Sequence, residues 1–208
     1  MSVIQNLATS LGRRDELPNI ELAASVVAKM DAPAVSELVE NLFNKSKGIR
    51  SDCIKTLYEI GSRKPELIAA HWEIFLKLLD ASDNRLVWGA MTALHSITAL
   101  KSGEIYAHLP KLLEIARKGS VITRDQLVNI LIRLCSFQAL KKEVFPLYRE
   151  FLQTCPENQL AMYAENGILV IDPANCGEFV RTLQERLAGI EKSSRRKRIE
   201  KVIRKAMA

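Results

Sequence analysis

Between Leu86 and Ile97 the chain reads LVWGAMTALHSI, and its apolar residues return at the three- and four-residue steps of an α-helix. Projected down the helix axis, Leu86, Ile97, Ala90, Leu94, Val87 and Met91 follow one another around a single apolar arc. An earlier run, Trp72, Phe75, Leu76 and Leu79, keeps the same spacing and predicts a partner helix just before it. Polar and turn-forming stretches at 80–84, 101–103, 118–120, 155–158 and 172–177 mark where such helices stop. Pro65, Pro156 and Pro173 sit at these joints, where a missing amide proton costs little.

The pattern repeats. Leu57, Leu94, Leu131 and Ile168 are spaced by 37 residues, as are Ile60, Ile97, Leu134 and Ile171, and so are Cys53, Ala90, Leu127 and Ala164. One helix-pair unit therefore recurs at least four times, and counting the periodic runs at 19–30 and 193–207 gives ten to twelve helices in five to six pairs. A pair with one apolar face cannot bury it alone, so the pairs must stack. Only 9 Gly and 7 Pro, with aromatics at 6%, agree with helix rather than sheet. The expectation is one all-α domain over residues 1–208.

In this light the sequence resembles the HEAT and armadillo helical repeats. Leu78-Leu79-Asp80 followed by Leu86, Ala90, Ala93 and Leu94 is similar to the HEAT pattern, and Ile49-Arg50 and Thr123-Arg124 supply its second-helix arginine in neighbouring units. Val87 and Ala161 stand where that family often has arginine. The resemblance covers roughly residues 33–190 and implies a right-handed α-α superhelix whose second helices line a concave, partner-receiving surface.

That implication gives the outer edge of the 86–97 helix a use. In the same projection His95, Trp88 and Thr92 fall, in that order, at or beyond the border of the apolar arc. One period earlier than Trp88, Thr92 and His95 the chain holds Ser51, Lys55 and Tyr58, and one period later Asp125, Asn129 and Ile132. Lys55, Tyr58, Trp88, Thr92, His95, Asp125 and Asn129 are thus the candidate partner-binding residues, against the plainer reading of Trp88 as a ring covering a neighbouring repeat.

Charge changes the picture at one end only. The formal charge is +6, yet residues 192–208 hold eight of the 30 basic residues and one of the 24 acids, leaving the first 191 residues at −1. Ile199, Val202, Ile203 and Ala206 have helical spacing, so this segment is expected to dock as a basic capping helix. Its Arg195, Arg196, Lys197, Arg198 and Lys201 are candidates for an acidic partner or nucleic acid.

Chemistry-bearing motifs are sparse. Cys53, Cys135, Cys155 and Cys176 form no C-x-x-C pair, and His71, His95 and His108 lack an i, i+4 partner. No phosphate-cradling glycine loop or nucleophile elbow occurs. The reading is a non-enzymatic protein-binding scaffold without metal or cofactor. A nucleic-acid-binding protein is the alternative, because HEAT-like DNA alkylation-repair glycosylases place aromatic, Asp and Arg residues on the inner face. No apolar run reaches the roughly 18 residues of a membrane span, and the first residues, MSVIQNLATSLGRRDEL, put their charges after a weak apolar stretch, the reverse of a secretion signal. A cytoplasmic location is expected.

Overall fold

A computed structural model of the chain describes residues 2–208. Among them are twelve α-helices and no strand: α1 (Leu17–Lys29), α2 (Ala32–Glu40), α3 (Lys47–Arg63), α4 (Trp72–Leu78), α5 (Asn84–Ile97), α6 (Ser102–Ala107), α7 (Leu109–Lys118), α8 (Val121–Cys135), α9 (Gln138–Thr154), α10 (Glu157–Gly167), α11 (Cys176–Leu187) and α12 (Ser193–Met207). The chain divides into two compact units, one running to Leu127 and one from Val128 to Ala208.

In the first unit α3 is the hub, packed against α1, α2 and α5, while α5 also packs on α4. The repeat positions Cys53, Leu57 and Ile60 of α3, and Ala90, Leu94 and Ile97 of α5, are completely buried. Gly89 permits the close approach of these two helices, since a Cβ there would lie 2.6 Å from Ile54 Cγ1. Local signals set the helix ends. Met30 closes α1 in the left-handed conformation (φ 50°) and Asp31 immediately caps α2, accepting from the Ala34 amide at 3.0 Å. Asn19, 1% exposed, accepts from the Ala8 amide at 3.0 Å and donates to Asp52 Oδ1 at 2.9 Å, while Asp52 Oδ2 accepts from the Thr9 amide at 2.7 Å. This network ties the residues before α1 to α3.

In the second unit α9 packs against α10 and α11, and α12 covers α10 and α11. Its largest fully buried side chain is Tyr148, whose hydroxyl donates to the Tyr163 carbonyl at 2.9 Å and whose ring stacks on Phe179 at 6.5 Å. Leu131 and Leu134 occupy their repeat positions with no exposure, but Ile168 and Ile171 do not follow them. Helix α10 ends at Gly167, Ile168 starts a 3-10 turn, and Ile171 lies in extended backbone beyond it, both isoleucines being half-buried. The 37-residue register therefore holds through Ala164 and fails one turn later. Helix termination removes the face those isoleucines were expected to share.

Arginines collect main-chain carbonyls in the joints between helices, where donors are scarce. Arg50 donates to the Asn44 and Lys45 carbonyls at 2.8 and 3.2 Å, and Arg186 to those of Leu152, Gln153 and Cys155 at 2.8, 2.6 and 2.7 Å. Arg196 does the same for Leu187 and Ile190 at 2.8 and 3.1 Å.

Two substitutions test this packing by chemical denaturation. Leu94→Ala is expected to lower stability by about 2–5 kcal/mol, the range for truncating a fully buried leucine. Gly89→Ala is expected to cost about 1–3 kcal/mol by overpacking Ile54; an unchanged midpoint for either variant contradicts the α3–α5 contact described here.

Candidate partner-binding surface

The geometry on α3 and α5 starts from a buried cation. Lys55 is only 9% exposed, an uncommon state for lysine. Its Nζ donates to Glu59 Oε1 at 2.9 Å, lies 3.0 Å from Glu16 Oε2, and sits 4.9 Å from the centroid of the Tyr58 ring. Glu16, just before α1, also receives Arg85 Nη2 at 2.5 Å, and Glu59 receives Arg63 Nη1 at 2.6 Å. Two carboxylates and three cations therefore interlock across α3, the start of α5 and the residues before α1.

Burial and pairing pull these groups in opposite directions. For Lys55 burial disfavours the charge, and the hydrogen bonds to Glu59, Tyr58 and Glu16 outweigh it, so the ammonium is held above the ordinary lysine range. For Glu59 burial again opposes ionisation, and hydrogen bonds from Lys55 and Arg63 outweigh it, holding the carboxyl below the ordinary glutamate range. Burial raises the Tyr58 phenol, with Lys55 opposing, so it is neutral at physiological pH.

Against this framework rest the aromatic rings. Tyr58 and Trp88 have centroids 5.8 Å apart at an interplanar angle of 50°, and both are half-buried. Thr92 Oγ1 donates to the Trp88 carbonyl at 2.8 Å, and Thr92 and His95 are also half-buried. The structure thus joins Lys55, Tyr58 and Trp88 in one cluster, with Thr92 and His95 on the same helix as Trp88. Lys55 differs from its expected part: its ammonium is enclosed by Glu16, Glu59 and Tyr58, so it anchors the surface from beneath. Asp125 is half-buried on α8 within the first unit.

In the second unit Asn129 Oδ1 accepts from Asn166 Nδ2 at 3.1 Å, joining α8 to α10 at positions one 37-residue period apart. Extending the repeat by one more step finds Asn166. No such signal finds Glu16, Glu59 or Arg85, which enter through ion pairs that the periodicity does not encode. Of the tail candidates, Arg195 Nη1 lies 3.3 Å from Glu157 Oε2, Arg196 binds main-chain carbonyls, and Arg198 holds Glu165 through two bonds of 2.8 and 2.5 Å. Lys197 and Lys201 are exposed.

The remaining titratable groups take structural positions. Cys53 and Cys135 are pushed up to about 12 by burial, so both remain thiols near neutral pH. Burial lowers the His71 pKa and favours its neutral form. His108 Nδ1 meets the Glu104 carbonyl at 2.8 Å, and its ring packs edge-on to Trp72. Among the described residues no group of three His, Cys, Asp or Glu is placed to hold a metal ion, and no helix is long and apolar enough to cross a membrane.

No protein-family model and no curated protein matches the sequence. Solved structures do match along its whole length. A designed armadillo repeat protein in complex with the peptide (KR)4 superposes with a TM-score of 0.68 at 16% identity, covering 99% of this chain and 100% of that one. An engineered protein from the Northeast Structural Genomics Consortium gives 0.67 at 20% identity over 99% of both chains, and a further designed armadillo repeat protein 0.65 at 15% over 98% of both. The chain accordingly has an all-α, armadillo/HEAT-like superhelical repeat fold.

The ion-pair cluster has a pH signature. Because Glu59 is held below its ordinary value, its stabilising contribution is present above that value and disappears as pH falls through the folded-state pKa. Lys55, held above its ordinary value, contributes below that value and loses its contribution only under strongly alkaline conditions. Lys55→Met removes the main partner of Glu59. Denaturation measured from about pH 6 down to about pH 3 should then show a shallower acid-side loss of stability than in the wild type; an equally steep loss assigns it to other carboxylates.

Proposed function

We propose that the chain is a non-enzymatic binding scaffold that takes a protein partner, as an extended peptide segment, on its second-helix face. The observation that carries this reading is the half-buried Tyr58–Trp88 pair, with the ammonium of the enclosed Lys55 set over the tyrosine ring. Tyrosine and tryptophan offer large contact area with few rotatable bonds, which is why they concentrate binding energy in interfaces. Backing the tyrosine ring with an enclosed lysine held by two carboxylates reduces the ordering cost of binding.

The second unit, taken by itself, carries a peptide-suited feature of its own in Asn129 and Asn166. Each amide has two donor hydrogens and a two-lone-pair acceptor, and their mutual bond uses one donor and one lone pair. The remaining capacity suits the alternating N–H and C=O groups of an extended main chain. A fold relative that carries a bound peptide, (KR)4, adds a precedent for peptide binding on this architecture. The four cysteines form no disulfide among the described residues and three are buried, which agrees with the reducing cytoplasm proposed for this scaffold.

A displayed library of random peptides selected on the wild-type chain tests the proposal directly. Selected peptides are expected to lose at least tenfold in affinity on Trp88→Ala, a difference of about 1.4 kcal/mol, while the thermal midpoint moves by only a few degrees. Undiminished binding to Trp88→Ala rejects this surface. Collapse of the fold on the same substitution instead assigns Trp88 to packing.

A further inference from the structure

The cations of α12 fall into two sets. Arg195, Arg196 and Arg198 are engaged within the second unit, to Glu157, to main-chain carbonyls and to Glu165 respectively. Lys197, Lys201, Arg204 and Lys205 are all exposed, and none makes a hydrogen bond or ion pair among the described residues. Their spacing is i, i+4, i+7 and i+8. At about 100° per residue they occupy one arc of about 100°, whose centre lies about 160° from that of Ile199, Val202, Ile203 and Ala206. The apolar side of the helix is buried against its neighbours, with Ile199, Val202 and Ile203 at 0%, 5% and 9% exposure. The opposite side is therefore a straight ridge of four positive charges, about 12 Å from Lys197 to Lys205.

Solubility alone does not require such a ridge. The adjacent helix α11 covers its exposed side with Glu178, Arg181, Gln184 and Glu185, of mixed sign, and is equally well solvated. Four like charges on successive turns repel one another, a repulsion relieved among the described residues only where Glu165 attracts Lys201, and an external polyanion removes the rest of that cost. The shape of the ridge selects among polyanions. A bilayer surface is planar and is gripped best when apolar side chains insert beside the cations, but Ile199, Val202 and Ile203 are buried, and the exposed Met207 at the last turn of α12 lies off the cation arc, about 110° from its centre. A phosphodiester strand is linear and carries a charge at every residue, so it can meet all four cations along one helix face.

We propose that Lys197, Lys201, Arg204 and Lys205 form a binding site for a single strand of RNA or DNA, held through its phosphates. The site is independent of the Tyr58–Trp88 surface. No aromatic side chain and no asparagine or glutamine lies on the ridge, so bases are neither stacked nor read and binding is indifferent to sequence.

Fluorescence anisotropy of labelled oligo(U) and oligo(dT) about a dozen nucleotides long tests the site on the full chain. Four phosphate contacts on a single strand give a slope of log affinity against log salt of about −2.8, so affinity should fall roughly fiftyfold between about 50 and 200 mM salt. Changing Lys197, Lys201, Arg204 and Lys205 together to Gln should abolish binding while the helical circular dichroism signal persists. Should that variant lose its helical signal, Lys197→Gln with Lys201→Gln must roughly halve the slope. Absence of oligonucleotide binding at the lower salt concentration overturns the proposal, and so does undiminished binding by the quadruple variant. Tighter binding to poly-glutamate of matched charge, or to phosphatidylserine vesicles, than to the oligonucleotides overturns it as well.

Discussion

A helix pair with an apolar stripe on each member has more apolar surface than the two helices can hide from each other, and the arrangement of this chain follows from that excess. The central helix α3 shows the consequence, being covered by α1, α2 and α5. Burial of one side chain such as Leu57 or Leu94 contributes on the order of 1.5–3 kcal/mol, comparable to much of a domain's net stability. The repeat positions Cys53, Leu57, Ile60, Ala90, Leu94 and Ile97 are completely buried and all carry apolar side chains. Where helices must come closest, volume becomes the limit, and Gly89 is the residue that meets it.

Short connections between packed helices create a second demand, because every helix end leaves carbonyls without donors in a crowded joint. Arginine answers it well: its guanidinium spreads five donors in a plane, enough to serve several carbonyls at once. Arg186 does so for the end of α9 and Arg196 for the end of α11. A cation near a helix C-terminus also complements the negative end of the helix dipole. Part of the chain's basic character is thus consumed in holding turns. Counting basic residues overstates the charge that a partner can meet.

What the sequence disclosed depended on whether a feature repeats. The 37-residue period exposed the buried positions through Ala164 and the breaks between helices, because burial imposes the same residue class on every unit. It misplaced Ile168 and Ile171, since an apolar residue past a helix end looks identical in sequence to one within the last turn. Trp88 was legible as an edge residue from its helical position alone. The Glu16–Lys55–Glu59 cluster was not, because Glu16 precedes the repeats and its pairing with Lys55 and Arg85 follows from three-dimensional proximity only. Asn129 was identified, and its partner Asn166 lay one period further along the same register.

The basic C-terminal segment shows why composition and geometry must be read together. As a string, SSRRKR concentrates charge at residues 195–198, and those four, with Lys201, read as the natural contact set. A helix separates neighbours by about 100°, so four consecutive cations must point around most of a turn and cannot share a face. Three of them meet groups belonging to the fold, and the outward direction is left to Lys197 and to the cations one and two turns later. The same helical step that gathers Ile199, Val202 and Ile203 on the buried side aligns Lys197, Lys201, Arg204 and Lys205 on the opposite one. Docking the apolar stripe therefore sets the orientation of the charged ridge: the packing that completes the core also presents the cations to solvent.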